Sequence, residues 1–256
     1  MKRELRLFFT ALAYFTRIPY AAFGGHEEHD LNHAAKYFPL VGIVVGMVAA
    51  LVYLVVHLKL PQELAVLASM AATLWLTGAF HEDGLTDAVD GLGGGWTQEQ
   101  ALTIMRDSRI GSFGAIALFM MLLAKFEALA HLAPLLLPAI LVAGHALSRF
   151  CGVVLIYTQS YVRESGKAKP LVKQLSLAQL VLAALFGLAP LALLATQMVW
   201  SMVLLALVPV ALAWWWFSRM LVRRLGGYTG DCLGAMQQLC ELAFYLGMAG
   251  VVGVGA

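Results

Sequence analysis

His81-Glu82-Asp83-Gly84-Leu85-Thr86-Asp87-Ala88-Val89-Asp90-Gly91 closes a long apolar segment and carries four acids within nine residues. No Lys or Arg occurs between Lys59 and Arg106 to neutralise them. Uncompensated carboxylates beside a hydrocarbon phase are costly unless a cation binds them. A divalent metal is the simplest source of that charge, and a metal at a membrane suggests phosphate chemistry. On a helix, spacings of four and three residues put Asp83, Asp87 and Asp90 within roughly 60° of arc. Leu85, Ala88 and Leu92 point the other way, and Gly84 and Gly91 flank the stripe and permit close approach. An all-oxygen donor set suits Mg²⁺ or Mn²⁺. The plainer alternative is a solvated helix start, where acids are also favoured.

The rest of the chain is membrane-like. Of 256 residues, 61% are hydrophobic and 12% charged, against about a quarter charged in soluble domains. The expected architecture is all-α: one polytopic integral membrane domain over residues 1–256, with about seven transmembrane helices. The expected spans are roughly 38–58, 62–81, 112–131, 134–156, 177–197, 199–218 and 232–254. Leu5, Phe8, Phe9, Leu12 and Phe15 recur at helical spacing, which predicts an N-terminal amphipathic helix lying in the interface. A net charge of +2 is too small to suggest nucleic-acid binding. Cys151, Cys232 and Cys240 form no CxxC pair and read as buried, inert thiols.

Threading seven spans from a cytoplasmic N-terminus leaves only Lys59 outside. Lys2, Arg3, Arg6, Arg17, Lys36, Arg106, Arg109, Arg163, Arg219, Arg223 and Arg224, and the lysines of the 158–176 loop, all fall inside. The same threading puts every polar motif on the cytoplasmic side.

Two further motifs stand at span entrances. Arg106-Asp107-Ser108-Arg109-Ile110-Gly111-Ser112 offers guanidinium forks, hydroxyls and a helix N-terminus to a phosphate, with Asp107 as a further metal ligand. Its plainer alternative is an ordinary helix entry with topogenic arginines. Gly227-Tyr228-Thr229-Gly230-Asp231 leads into the last span, where Asp231, Gly234, Gln238, Glu241 and Tyr245 form one polar and small stripe that must face protein or water. Asp231 is a candidate for the metal site or for orienting a nucleophile, or else an N-cap. Lys125, Glu127, His145 and Arg149 lie inside expected spans. Lys125 or Arg149 would meet a diphosphate or pair with Glu127; structural salt bridges explain them equally well. His26, His29 and His33 are the weakest metal candidates and read mainly as an interfacial loop.

Together these pieces resemble the cobalamin synthase family, the adenosylcobinamide-GDP ribazoletransferases. The resemblance rests on Phe15-Thr16-Arg17-Ile18-Pro19, Tyr37-Phe38-Pro39-Leu40-Val41-Gly42, the 78–91 acidic stretch, Met105-Arg106-Asp107-Ser108-Arg109-Ile110-Gly111 and Gly227-Tyr228-Thr229-Gly230-Asp231. It implies a Mg²⁺-dependent enzyme of the bacterial inner membrane, active on the cytoplasmic side. The implied reaction joins adenosylcobinamide-GDP to α-ribazole, or its 5′-phosphate, with release of GMP. Asp83, Asp87 and Asp90 are then the expected metal ligands. Arg17, Arg106, Ser108, Arg109, Lys125 and Arg149 are the expected phosphate-binding residues, with Arg106 or Arg109 on the leaving GMP. Glu82, Asp107 or Asp231 would take the proton from the attacking hydroxyl. Membrane lipid is a further expected partner and a homo-oligomer an option; nucleic acid is not expected. The alternatives are a CDP-alcohol-type lipid phosphotransferase, whose second Asp pair is missing here, and a cation-coupled transporter, which would place its acids nearer the bilayer midplane.

Overall fold

A computed structural model describes residues 2–18, 28–163 and 175–253. The described chain is helical: α1 (Lys2–Phe15), α2 (Glu28–Ala34), α3 (Phe38–His57), α4 (Gln62–Thr77), α5 (Phe80–Gly94), α6 (Gln98–Ile104), α7 (Ser112–Ala130), α8 (Leu137–Thr158), α9 (Leu177–Leu194), α10 (Trp200–Leu225) and α11 (Gly230–Gly253). Six helices are long and apolar enough to cross a membrane, and α4 with α5, a pair bent by 84°, would make a seventh only if counted as one span. Large side chains on the outside, among them Leu51, Trp75, Phe119, Leu185 and Leu212, are exposed, as a lipid-facing surface requires.

The helices alternate in direction. At one end, Gln62 at the start of α4 donates to the Ala130 and Leu132 carbonyls beyond α7, at 2.9 and 2.7 Å. At the other end, Gln98 of α6 donates to the Leu225 carbonyl closing α10, at 2.8 Å. This second end gathers all the sequence motifs and is called the motif face below.

The expected 62–81 span stops early, at Thr77. Gly78 (φ 65°) and Ala79 (φ 56°) are both left-handed, and α5 leaves at 84° to α4. Gly78 takes that conformation freely, whereas Ala79 stores about 1–2 kcal/mol of strain to make the corner. Because α5 turns off the axis of α4, the acidic stretch lies outside the spanning helices, across the motif face. The 134–156 span is shifted, since α8 runs from Leu137 to Thr158, and the 199–218 span runs longer than expected, since α10 does not end until Leu225.

The N-terminal helix is amphipathic, but its buried face is Leu7, Thr10, Ala11, Leu12 and Phe15, while Leu5 points outward. Phe15 packs edge-on against Phe80 (5.6 Å) and stacks on His81 (5.2 Å), which docks α1 over the start of α5. His26 lies outside the described residues, and the side chain of His29 is not described. His33 faces Gln179 at 3.1 Å.

Candidate active site

Helices α5 and α11 cross at a pair of glycines. A Cβ on Gly84 would stand 3.3 Å from Gly234 Cα, and one on Gly234 would stand 3.0 Å from the His81 carbonyl and 3.2 Å from Gly84 Cα. The crossing brings Asp83 and Asp87 of α5 beside Asp231 in the first turn of α11. Asp83 is exposed, and Asp87 and Asp231 are half-buried. Burial, then the Asp231 and Asp83 carboxylates, push the Asp87 carboxyl up to about 7, and Arg163 opposes this. Arg163 also pairs with Asp231 at 2.7 Å, an ion pair without the geometry of a directed hydrogen bond. Two backbone hydrogen bonds, Tyr228 N–H to Ser160 O and Val162 N–H to Tyr228 O, each 3.0 Å, tie the end of α8 to the start of α11 and hold Arg163 there. The Gly234→Ala protein is expected to lose about 1–3 kcal/mol of stability, the usual cost of overpacking a close contact, as measured by thermal unfolding in micelles.

Asp90 departs from the expected metal triad. It is buried, and its two oxygens accept from the backbone N–H groups of Gly111 (2.7 Å) and Gly114 (2.8 Å). It therefore caps the N-terminus of α7 from α5, a position that favours a carboxylate. Among the described residues, no three His, Cys, Asp or Glu side chains are assembled as a ready-made metal cage. That still fits Mg²⁺, which is usually held by one or two carboxylates together with substrate phosphates. Asp83 and Asp87, oxygen donors whose neighbouring cation, Arg163, is paired with Asp231, make such a partial set.

The 106–111 loop is exposed. Asp107 and Arg109 satisfy each other in a forked ion pair of 2.7–3.1 Å, and that pairing holds the Asp107 carboxyl down at about 2. A carboxylate so stabilised is a poor proton acceptor, which counts against Asp107 as the base. Arg106 and Ser108 are solvent-facing, and the Arg106 charge reaches Tyr161. Arg17 lies against the α4–α5 corner: its backbone N–H donates to Leu76 O at 2.8 Å, and a Cβ on Gly78 would stand 2.8 Å from its Nε.

Glu82, Lys125 and Arg149 belong elsewhere, in a buried network inside the bundle. Lys125 Nζ bonds to Glu241 (2.6 Å) and to the Gln238 amide oxygen (2.7 Å), and Gln238 donates to Glu82 (2.9 Å). Glu241 also meets His145 (2.9 Å), Ser148 (3.3 Å) and Gln237. Arg149 donates to the His145 carbonyl at 3.0 Å. These groups surround a cavity of about 30 Å³, room for little more than a water molecule. Lys125 is thus paired across helices with Glu241, while Glu127 is exposed beside His131. Neither Lys125 nor Arg149 reaches the carboxylate crossing in this structure. Arg163 is the site residue that sequence reasoning missed, since it reads only as part of a basic loop.

Comparison with known proteins adds to this geometry. The family described as cobalamin-5-phosphate synthase matches residues 7–249. The adenosylcobinamide-GDP ribazoletransferase of Ralstonia pickettii (strain 12J) is 47% identical over 254 residues, covering 97% of this chain and 96% of that protein. The protein of the same name from Shewanella woodyi (strain ATCC 51908 / MS32) is 44% identical, with 98% of each chain covered. No solved structure matches. Neither the lipid head-group transferase nor the transporter is favoured by these relatives. A match over nearly the full length, with polar motifs gathered on one face of a membrane bundle, makes this chain a member of the cobalamin-5-phosphate synthase family of transferases.

Proposed function

We propose that this protein transfers the phosphocobinamide group from adenosylcobinamide-GDP to α-ribazole, or to its 5′-phosphate, with release of GMP. The observation that carries the proposal is the meeting of Asp83, Asp87 and Asp231 at the α5–α11 crossing, where Arg163 is the opposing charge. Asp83 and Asp87 would hold Mg²⁺ or Mn²⁺. When bound there, the metal would supply charge neutralisation for the substrate diphosphate. Asp231, oriented by Arg163 and by Thr229 (3.5 Å), is the carboxylate left to accept the proton of the attacking ribazole hydroxyl. Glu82 is bound into the interior network and Asp107 sits with Arg109 in the exposed 106–111 loop, so neither stands at the crossing beside Asp83 and Asp87 as Asp231 does. Arg106 and Arg17, exposed on the same face, would meet the phosphate of the leaving GMP. The excess of Lys and Arg at the motif face supports a cytoplasmic orientation in a bacterial inner membrane.

Purified protein in liposomes, given adenosylcobinamide-GDP and α-ribazole, should release GMP only when the acceptor and Mg²⁺ are both present. GMP release without the acceptor would mean hydrolysis, and no release from folded protein would remove the proposal.

A further inference from the structure

We propose that the motif-face end of α10 binds the phosphate of an anionic phospholipid. The 26 residues of α10 extend about 39 Å, against about 30 Å of hydrocarbon, so its last turns stand at headgroup level. That end carries Trp215 and Trp216, both 54% exposed, followed by Arg219, Arg223 and Arg224. Exposed tryptophans mark the membrane–water interface, and arginines beside them face the headgroups.

Among the described residues, the arginines have no acidic partner. No Asp or Glu occurs between Glu164 and Asp231, and none of the ion pairs among the described residues involves Arg219, Arg223 or Arg224. Arg224 is committed to the Gly95 carbonyl. The Arg219 guanidinium lies over the Trp215 ring at 5.4 Å, which holds its charge at the rim of both hollows, within reach of an anion. Trp215, Arg219 and Arg223 form a ridge between two hollows of about 250 and 470 Å³. The larger one is also walled by Thr158, Gln159 and Ser218, which add polar groups to an otherwise apolar surface. A cationic ridge with apolar flanks, turned outward at headgroup depth, matches a lipid with a charged phosphate and acyl chains better than a free anion. The site is separate from the carboxylate crossing.

Brominated lipids quench nearby tryptophans and give the test. In phosphatidylcholine vesicles, brominated phosphatidylglycerol should quench this protein more than brominated phosphatidylcholine at equal mole fraction. The preference should disappear in Trp214→Phe/Trp215→Phe/Trp216→Phe, which removes the three tryptophans that line the two hollows and so places the lipid at this ridge. It should fall roughly fivefold per arginine removed in Arg219→Gln/Arg223→Gln and survive in Arg219→Lys/Arg223→Lys. Unchanged GMP release from the glutamine variant in neutral vesicles would confirm its fold; if it does not fold, the tryptophan variant still decides. Equal quenching by the two lipids, a preference kept without Trp214, Trp215 and Trp216, or one abolished by inorganic phosphate would overturn the proposal.

Discussion

Replacing Asp87 with asparagine is expected to cut GMP release at least about a hundredfold while leaving the fold intact. The loss is that of one key electrostatic contact at a reacting phosphate. Asparagine keeps the shape and removes the charge. Asp87 is half-buried, and burial together with Asp231 and Asp83 lifts its carboxyl to about 7. The ionised side chain is therefore repelled in the metal-free protein, and neutralising it should hold or raise the thermal midpoint. Activity lost with stability kept is the signature of a ligand-binding carboxylate. Asp90→Ala should show the opposite pattern. Its oxygens accept from Gly111 and Gly114 at the start of α7, so losing them costs stability of about 1–2 kcal/mol, typical of a lost helix cap, and affects GMP release only through that loss. If Asp87→Asn releases GMP near the wild-type rate, Asp87 does not hold the metal. A hundredfold loss in Asp90→Ala at full stability would return Asp90 to the metal site.

These two aspartates also mark how far the sequence can be read. Helical spacing alone puts Asp83, Asp87 and Asp90 on one face, and the chain does form that helix. What diverts Asp90 is the backbone of α7, at Gly111 and Gly114, brought in by tertiary packing that no local pattern records. The polar stripe from Asp231 to Tyr245 was legible because a bilayer forbids it to face lipid, and Gln238, Glu241 and Tyr245 are indeed buried. The corner before α5 was half legible: Gly78 is an ordinary helix stop, but nothing in the sequence announces that Ala79 is also left-handed. Nearness in sequence makes Glu127 one candidate partner for Lys125, beside a diphosphate. Two residues apart on a helix, they point about 200° away from each other, so Lys125 had to find its partner on another helix. Arg163 was hidden for the same kind of reason, since it meets Asp231 only because Ser160 and Val162 pair with Tyr228.

The second large effect should come from that intramembrane pair. Glu241 accepts from Lys125 at 2.6 Å and touches His145, Ser148 and Gln237, all buried between α7, α8 and α11. Lys125→Met removes the cation bonded directly to Glu241 and leaves His145 and the Arg149 guanidinium as its remaining counter-charges, and removing one member of a buried ion pair costs about 3–5 kcal/mol. Neutral hydrogen bonds between membrane helices average only about 0.6 kcal/mol, so the size of the loss reports whether the pair is ionised. Lys125→Met/Glu241→Gln removes both charges and should recover most of the stability lost in the single variant. Unfolding by SDS titration in mixed micelles, run on both, measures the difference. The acidic helix is tied to this pair through Gln238 and Glu82, so GMP release should fall in the single variant and return in the double. A single variant that loses less than about 1 kcal/mol would mean that Lys125 and Glu241 meet as neutral groups, or that His145 and Arg149 neutralise Glu241 without Lys125. A double variant that regains stability but not activity would mean that the network acts on the α5 carboxylates through its charge as well as through the packing of α5.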